Sequence, residues 1–134
     1  MYGYVLQDFI TIRGSSIADV IQGESGWMGF SSFQDIVFWL DVREATLPSG
    51  GLTWYYETSP SKDNNLFTPM VNNAITSLTP GLQTLQKVIL ASGPSVPLAT
   101  WVRWRLSPSG TGTPWDATFR ILVSANKVIR GRAA

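Results

Sequence analysis

Apolar and polar residues alternate with a period of two over most of this chain, as expected for strands that bury one side and expose the other. In QDIVFWLDVREAT (34–46), Ile36, Phe38, Leu40 and Val42 share one side, and Val37, Trp39, Asp41 and Arg43 share the other. GLTWYYETS (51–59) sets Leu52, Trp54 and Tyr56 against Thr53, Tyr55 and Glu57, and the intervening Pro48-Ser49-Gly50-Gly51 predicts an antiparallel hairpin. LATWVRWRLS (98–107) and WDATFRILVSAN (115–126) predict a second hairpin around 108–114. Its apolar sides are Val102, Trp104 and Leu106 on one strand and Ala117, Phe119, Ile121 and Val123 on the other. Shorter strands are predicted at 4–13, 18–22, 70–75 and 84–92. One helical turn is predicted near Asn65 to Val71, capped from among Ser61, Asp63 and Asn64 and kept short by Pro69. About eight strands, broken by Gly, Pro, Ser and Asn clusters and with no sustained 3.6-residue period, predict an all-β fold: an antiparallel β-sandwich or jelly roll.

A length of 134 residues suits one domain spanning 1–134, with an N-terminal arm (1–13) and the basic C-terminal tail KVIRGRAA (127–134) as segments that reach a neighbour. Ten basic and nine acidic residues give a net charge of +1, and charged residues are 14% of the chain, about half the roughly 25% usual for soluble domains. A generic polyanion binder needs an excess of basic charge, so no nucleic-acid partner is expected. With 44% hydrophobic residues, much uncharged surface is left to face a partner. Cysteine and histidine are both absent, which removes Ser-His-Asp and Cys-His catalysis and the usual zinc ligand sets. No apolar run is long enough to span a membrane as a helix, and MYGYVLQDF lacks the features of a signal peptide, so synthesis and use in the cytoplasm are expected.

The densest chemistry lies in ATWVRWRL (99–106), with two tryptophans and two arginines. If Val102, Trp104 and Leu106 point inward, Trp101, Arg103 and Arg105 point outward, and a paired strand at 115–126 adds Thr118, Arg120 and Leu122 to that side. Three arginines on one face require interleaved acids, and Asp41, Glu44 and Glu57 are available. This reads as an outward ladder that ties a sheet together and meets a neighbouring subunit through Trp39, Arg43, Trp101, Arg103, Arg105 and Arg120, with Tyr2 and Tyr4 in the arm. Exposed aromatics beside charged groups also suit a sugar-binding module, for which Trp27, Trp39, Tyr55 and Trp115 are the candidates. In YETSPSKDNNLF (56–67), Glu57, Asp63, Asn64 and Asn65 are hard oxygen donors of the kind calcium takes. Their spacing follows no EF-hand and is ordinary turn chemistry, so neither a metal nor another cofactor is expected. No spacing singles out a catalytic carboxylate pair from Asp41, Glu57 and Asp116, and SGGL and SGTGT lack the Lys-Ser/Thr of a phosphate loop, so an enzyme is not expected.

Taken together, FQDIVFWLDVREAT, YETSPSKDNNLF, PLATWVRWRLS and WDATFRILVSAN resemble the small jelly-roll capsid cement or decoration proteins of tailed bacteriophages, over roughly Tyr4 to Asn126. The resemblance implies a non-enzymatic virion structural protein, assembled in the host cytoplasm, that bridges copies of the major capsid protein and contacts copies of itself. LATWVRWRLS also resembles a late strand of discoidin-like sugar-binding sandwiches, although those domains are longer. That similarity implies the alternative: a carbohydrate-binding module of a phage tail or host-attachment device.

Overall fold

The structure, a computed structural model, describes residues 2–77, 83–90, 96, 98–111 and 114–127. Nine strands follow in chain order: β1 (Tyr2–Gly14), β2 (Val20–Ile21), β3 (Met28–Gly29), β4 (Phe33–Thr46), β5 (Leu52–Ser59), β6 (Thr68–Ile75), β7 (Gln83–Leu90), β8 (Trp101–Pro108) and β9 (Trp115–Lys127). One sheet has the order β1-β9-β4-β7, and the second has β2-β8-β5-β6, with β3 also paired to β8. All of these pairings are antiparallel. If β2 and β3 are taken as one interrupted strand along the edge of β8, this is the two-sheet order of a jelly roll, as the alternation predicts.

The buried sides are those the sequence assigns. Ile36, Phe38, Leu40 and Val42 of β4, together with Ala117, Phe119, Ile121 and Val123 of β9, face Leu52, Trp54 and Tyr56 of β5 and Val102, Trp104 and Leu106 of β8 across the sandwich. Rings interlock between the layers: Phe38 stacks on Tyr56 at 4.2 Å, and Phe119 stands edge-on to Trp54 (5.4 Å) and Trp104 (5.2 Å). Such pairs add to the burial of apolar area that holds the layers together.

Neither predicted hairpin forms. β4 and β5 lie in different sheets, as do β8 and β9, so Pro48–Gly51 and the segment after Pro108 are corners that carry the chain from one layer to the other. The two corners bind one another instead: Gly50 N–H donates to Ser109 O at 2.9 Å and Ser109 N–H to Gly51 O at 3.1 Å. Gly51 has φ +84°, where an added Cβ would strike the Ile75 carbonyl, so this corner requires glycine. The N-terminal segment is no free arm, because residues 2–14 are β1 and pair with β9 through two register shifts, at Val5/Gln7 and Gln7/Ile10. The C-terminal tail beyond Lys127 lies outside the described residues. The helical turn is a 3-10 turn at Asn64–Leu66, where the Asp63 carboxylate accepts from Asn65 N–H at 3.0 Å. Pro69 stands in β6, which among the described residues pairs only with β5, so a missing N–H is tolerated there.

Gln22 stitches the layers where β8 lacks a strand partner between β2 and β3. Its backbone N–H donates to Trp104 O (3.1 Å), its Oε1 accepts from Trp104 N–H (3.3 Å), and its Nε2 donates to Leu6 O in the other sheet (2.7 Å).

Candidate interaction face

The outer faces of the two sheets carry separate clusters of paired charges. On β8 and β5, Arg103 sits opposite Glu57 and Arg105 opposite Tyr55. Glu57 accepts from Nε of both arginines at 2.9 Å, and Arg105 reaches Asp19 at 2.6 Å while its guanidinium covers the Tyr55 ring at 4.2 Å. The interleaving acid is therefore the expected one. A second layer then closes over Arg103: its guanidinium lies 4.0 Å from the centre of the Phe67 ring and 5.0 Å from that of Trp27, and it donates to Asn64 Oδ1 at 2.6 Å. Only 4% of the Arg103 side chain is exposed. Arg103 points away from the sandwich core as predicted, yet it is spent inside the protein, pinning the 22–30 and 59–67 connections to the sheet. Trp101, half-buried, lies under the Lys62 ammonium at 4.6 Å.

Arg120 does not join this ladder. Because β9 belongs to the other sheet, Arg120 is opposite Asp41 on the far side of the molecule. There Asp41 accepts from Arg43 Nε and Nη2, both at 3.0 Å, and from Arg120 Nε at 2.9 Å. The Arg43 bonds, reinforced by Arg120, outweigh partial burial and hold the Asp41 carboxyl below the usual carboxylate range. The register shifts in β1 bring the Phe9 ring beneath both guanidiniums, 5.0 Å from Arg43 and 4.8 Å from Arg120. One step along the same strands, Trp39 is opposite Leu122, and its indole N–H donates to Ser124 Oγ at 3.0 Å. Gly3, opposite Ser124, has no side chain to fill the space, and an open groove of about 590 Å³ runs between Val5, Trp39, Leu122 and Ser124. Val5, Phe9 and Trp39 are 53%, 44% and 37% exposed around this groove; on the other sheet Ile21, opposite Arg105, and Leu66, in the turn beside Arg103, are exposed as well.

Of the eight predicted contact residues, Trp39, Arg43 and Arg120 thus come together on one face, and Trp101, Arg103 and Arg105 lie on the opposite one. Tyr2 and Tyr4 close the end of the sandwich: Tyr4 meets Phe30 and Phe33, both at 5.7 Å, and the more exposed Tyr2 meets Phe33 at 5.9 Å. Phe9 and Val5 are the residues that sequence reasoning missed, and Leu122, expected on the outer side with Arg120, lies there opposite Trp39 rather than beside Trp101. Strict alternation through YVLQDFITIR would turn Asp8 inward alongside Tyr4, Leu6, Ile10 and Ile12, and that misfit was the available sign of a bulge. Among the sugar-binding candidates, Trp27 and Trp115 are buried, with Trp115 bonded through Nε1 to Ser16 O, and Tyr55 lies half-buried beneath Arg105. Of the loop oxygens considered for calcium, those of Glu57 accept from the arginines, that of Asn64 from Arg103, and Asp63 caps the turn. Asp41 and Asp116 stand on one sheet and Glu57 on the other, so neither carboxylate pair assembles.

No protein-family model and no curated protein matches the sequence. Solved structures do match by shape. The VP2 subviral particle of infectious bursal disease virus superposes with a TM-score of 0.55 at 14% identity, over 91% of this chain and 32% of that one. The K1 cleaved adhesin domain of Lys-gingipain from Porphyromonas gingivalis W83 gives 0.50 at 12% identity, over 88% of this chain and 74% of that one. The chain therefore spans about a third of the length of the viral protein, and at these identities the likeness is one of fold: an all-β sandwich shared with the VP2 protein of a subviral particle and with an adhesin domain.

Proposed function

We propose that this chain is a non-enzymatic structural protein of a virus particle, a decoration or cement protein that bridges neighbouring capsid subunits beside copies of itself. The observation that carries the reading is the cluster of open aromatic, apolar and cationic side chains on the β1-β9-β4 face. On the β5-β8 face the loops close over Arg103 and take it out of reach of a partner. The β1-β9-β4 face leaves Trp39, Phe9 and Val5 open beside Arg43 and Arg120, and tryptophan and arginine are the residue types in which interface energy concentrates. Many copies on a shell gain by avidity, so each contact needs only modest strength. The direct test is to purify particles from a culture that makes the chain and probe gradient fractions with an antibody against it. Co-banding with the particles is expected, and a chain found only in the soluble fraction contradicts the proposal.

The carbohydrate-binding alternative keeps one supporting observation, the Trp39 ring edging a groove that also holds the Ser124 hydroxyl. Low-micromolar glycan-array binding by the purified chain, abolished by Trp39→Ala, would favour it over the structural reading.

A further inference from the structure

The docking face also carries information about what docks. A guanidinium has five N–H donors. Arg43 gives two to Asp41 and Arg120 gives one, leaving three and four that no described residue accepts. Their side chains are 47% and 34% exposed, and neither Asp8 nor Glu44 forms an ion pair with them. Donors held in place over the Phe9 ring and turned to the surface suit a carboxylate, which accepts from arginine in a fixed planar geometry.

The groove is one step away. Trp39 and Leu122 line it, and Asp41 and Arg120 lie two residues further along the same two strands, a distance of about 6.6 Å at 3.3 Å per residue. That is also the distance between successive same-side residues of an extended peptide. We infer that this face takes an extended acidic segment of a partner protein, with an apolar side chain in the groove beside Trp39 and, two residues along, a carboxylate on Arg43 and Arg120. The inference rests on the docking reading above and specifies its partner.

The test is an NMR titration of the purified chain, following the Trp39 indole and arginine Nε–H signals, with the peptide Thr-Thr-Leu-Thr-Asp-Thr-Thr and its Asp-to-Asn counterpart. The acidic peptide is expected to bind at least fivefold more tightly. Arg120→Gln, which leaves Asp41 its two bonds from Arg43, should cut that advantage to under twofold. Gly3→Val fills the groove where an added Cβ meets nothing within 4 Å, and it should weaken both peptides together. Equal binding of the two peptides, an advantage that survives Arg120→Gln, or no shift at millimolar peptide overturns the acidic-partner inference. Such a result leaves the docking reading standing if Trp39→Ala still removes the chain from particles. If Trp39→Ala and Gly3→Val both leave particle association intact, the docking reading fails as well.

Discussion

Glu57→Gln is the sharpest probe of what holds the closed face together. Glu57 is 3% exposed and is the shared acceptor for Arg103 and Arg105, each at 2.9 Å. The substitution preserves shape but removes the charge and presents an amide N–H₂ to two guanidiniums. Arg103, with 4% of its side chain exposed, then keeps a neutral bond to Asn64 and its aromatic neighbours but has no counter-ion. Breaking a buried pair from one side costs about 3–5 kcal/mol, a large part of the 5–15 kcal/mol that typically separates folded from unfolded states. For a chain of 134 residues this corresponds to a fall in Tm of roughly 11–18 °C. Arg103→Met should cost less, because Glu57 keeps Arg105. Glu57→Leu combined with Arg103→Met should recover most of the loss, because no buried charge is left alone. Urea unfolding followed by tryptophan fluorescence measures all three. A Glu57→Gln loss below about 1 kcal/mol, or a double variant no more stable than Glu57→Gln, would show that the pair is not coupled inside the protein.

Other substitutions test other joints of the fold. Gln22→Leu strands the buried Trp104 N–H and Leu6 carbonyl and should cost about 2–4 kcal/mol, with the Trp104 amide losing its hydrogen-exchange protection. Gly51→Ala forces a side chain into a positive-φ corner against the Ile75 carbonyl, and calorimetry should show a loss of more than about 1 kcal/mol. Because the folded-state pKa of Asp41 is lowered, the unfolded chain binds the extra proton. The stability contributed by Asp41 is thus present above the unfolded carboxylate value of about 4 and is lost as pH falls below it. Comparing urea midpoints at pH 7 and pH 3, Asp41→Asn should be less stable than the parent at pH 7 and show a smaller drop on acidification.

The strands and their buried sides were legible in the sequence because alternation encodes burial directly: Ile36, Phe38, Leu40 and Val42 could satisfy only one arrangement. Strand partners were not legible. A Pro-Ser-Gly-Gly segment marks a reversal of the chain, but the same residues serve a hairpin and a corner between sheets, and the choice depends on distant pairings such as β4 with β9. That one ambiguity misplaced Arg120, and with it the division of the candidate residues between two faces. The acids that satisfy the arginines could be foreseen from charge balance alone. The burial of Arg103 could not, because Trp27 and Phe67, which close over it, come from irregular segments with no periodicity to read. Alternation with Leu6, Ile10 and Ile12 turns Phe9 outward, but its place beside Arg43 and Arg120 depends on the register shifts of β1 against β9, which no local pattern shows.

The β1-β9-β4 face is the proposed adhesive surface. A density map of the assembled particle tests this most directly. It should place the chain on the shell with Val5, Phe9 and Trp39 covered by a neighbouring subunit and the Arg103 layer unchanged. A map in which those three side chains face open solvent while the β5-β8 side makes the contact would contradict it.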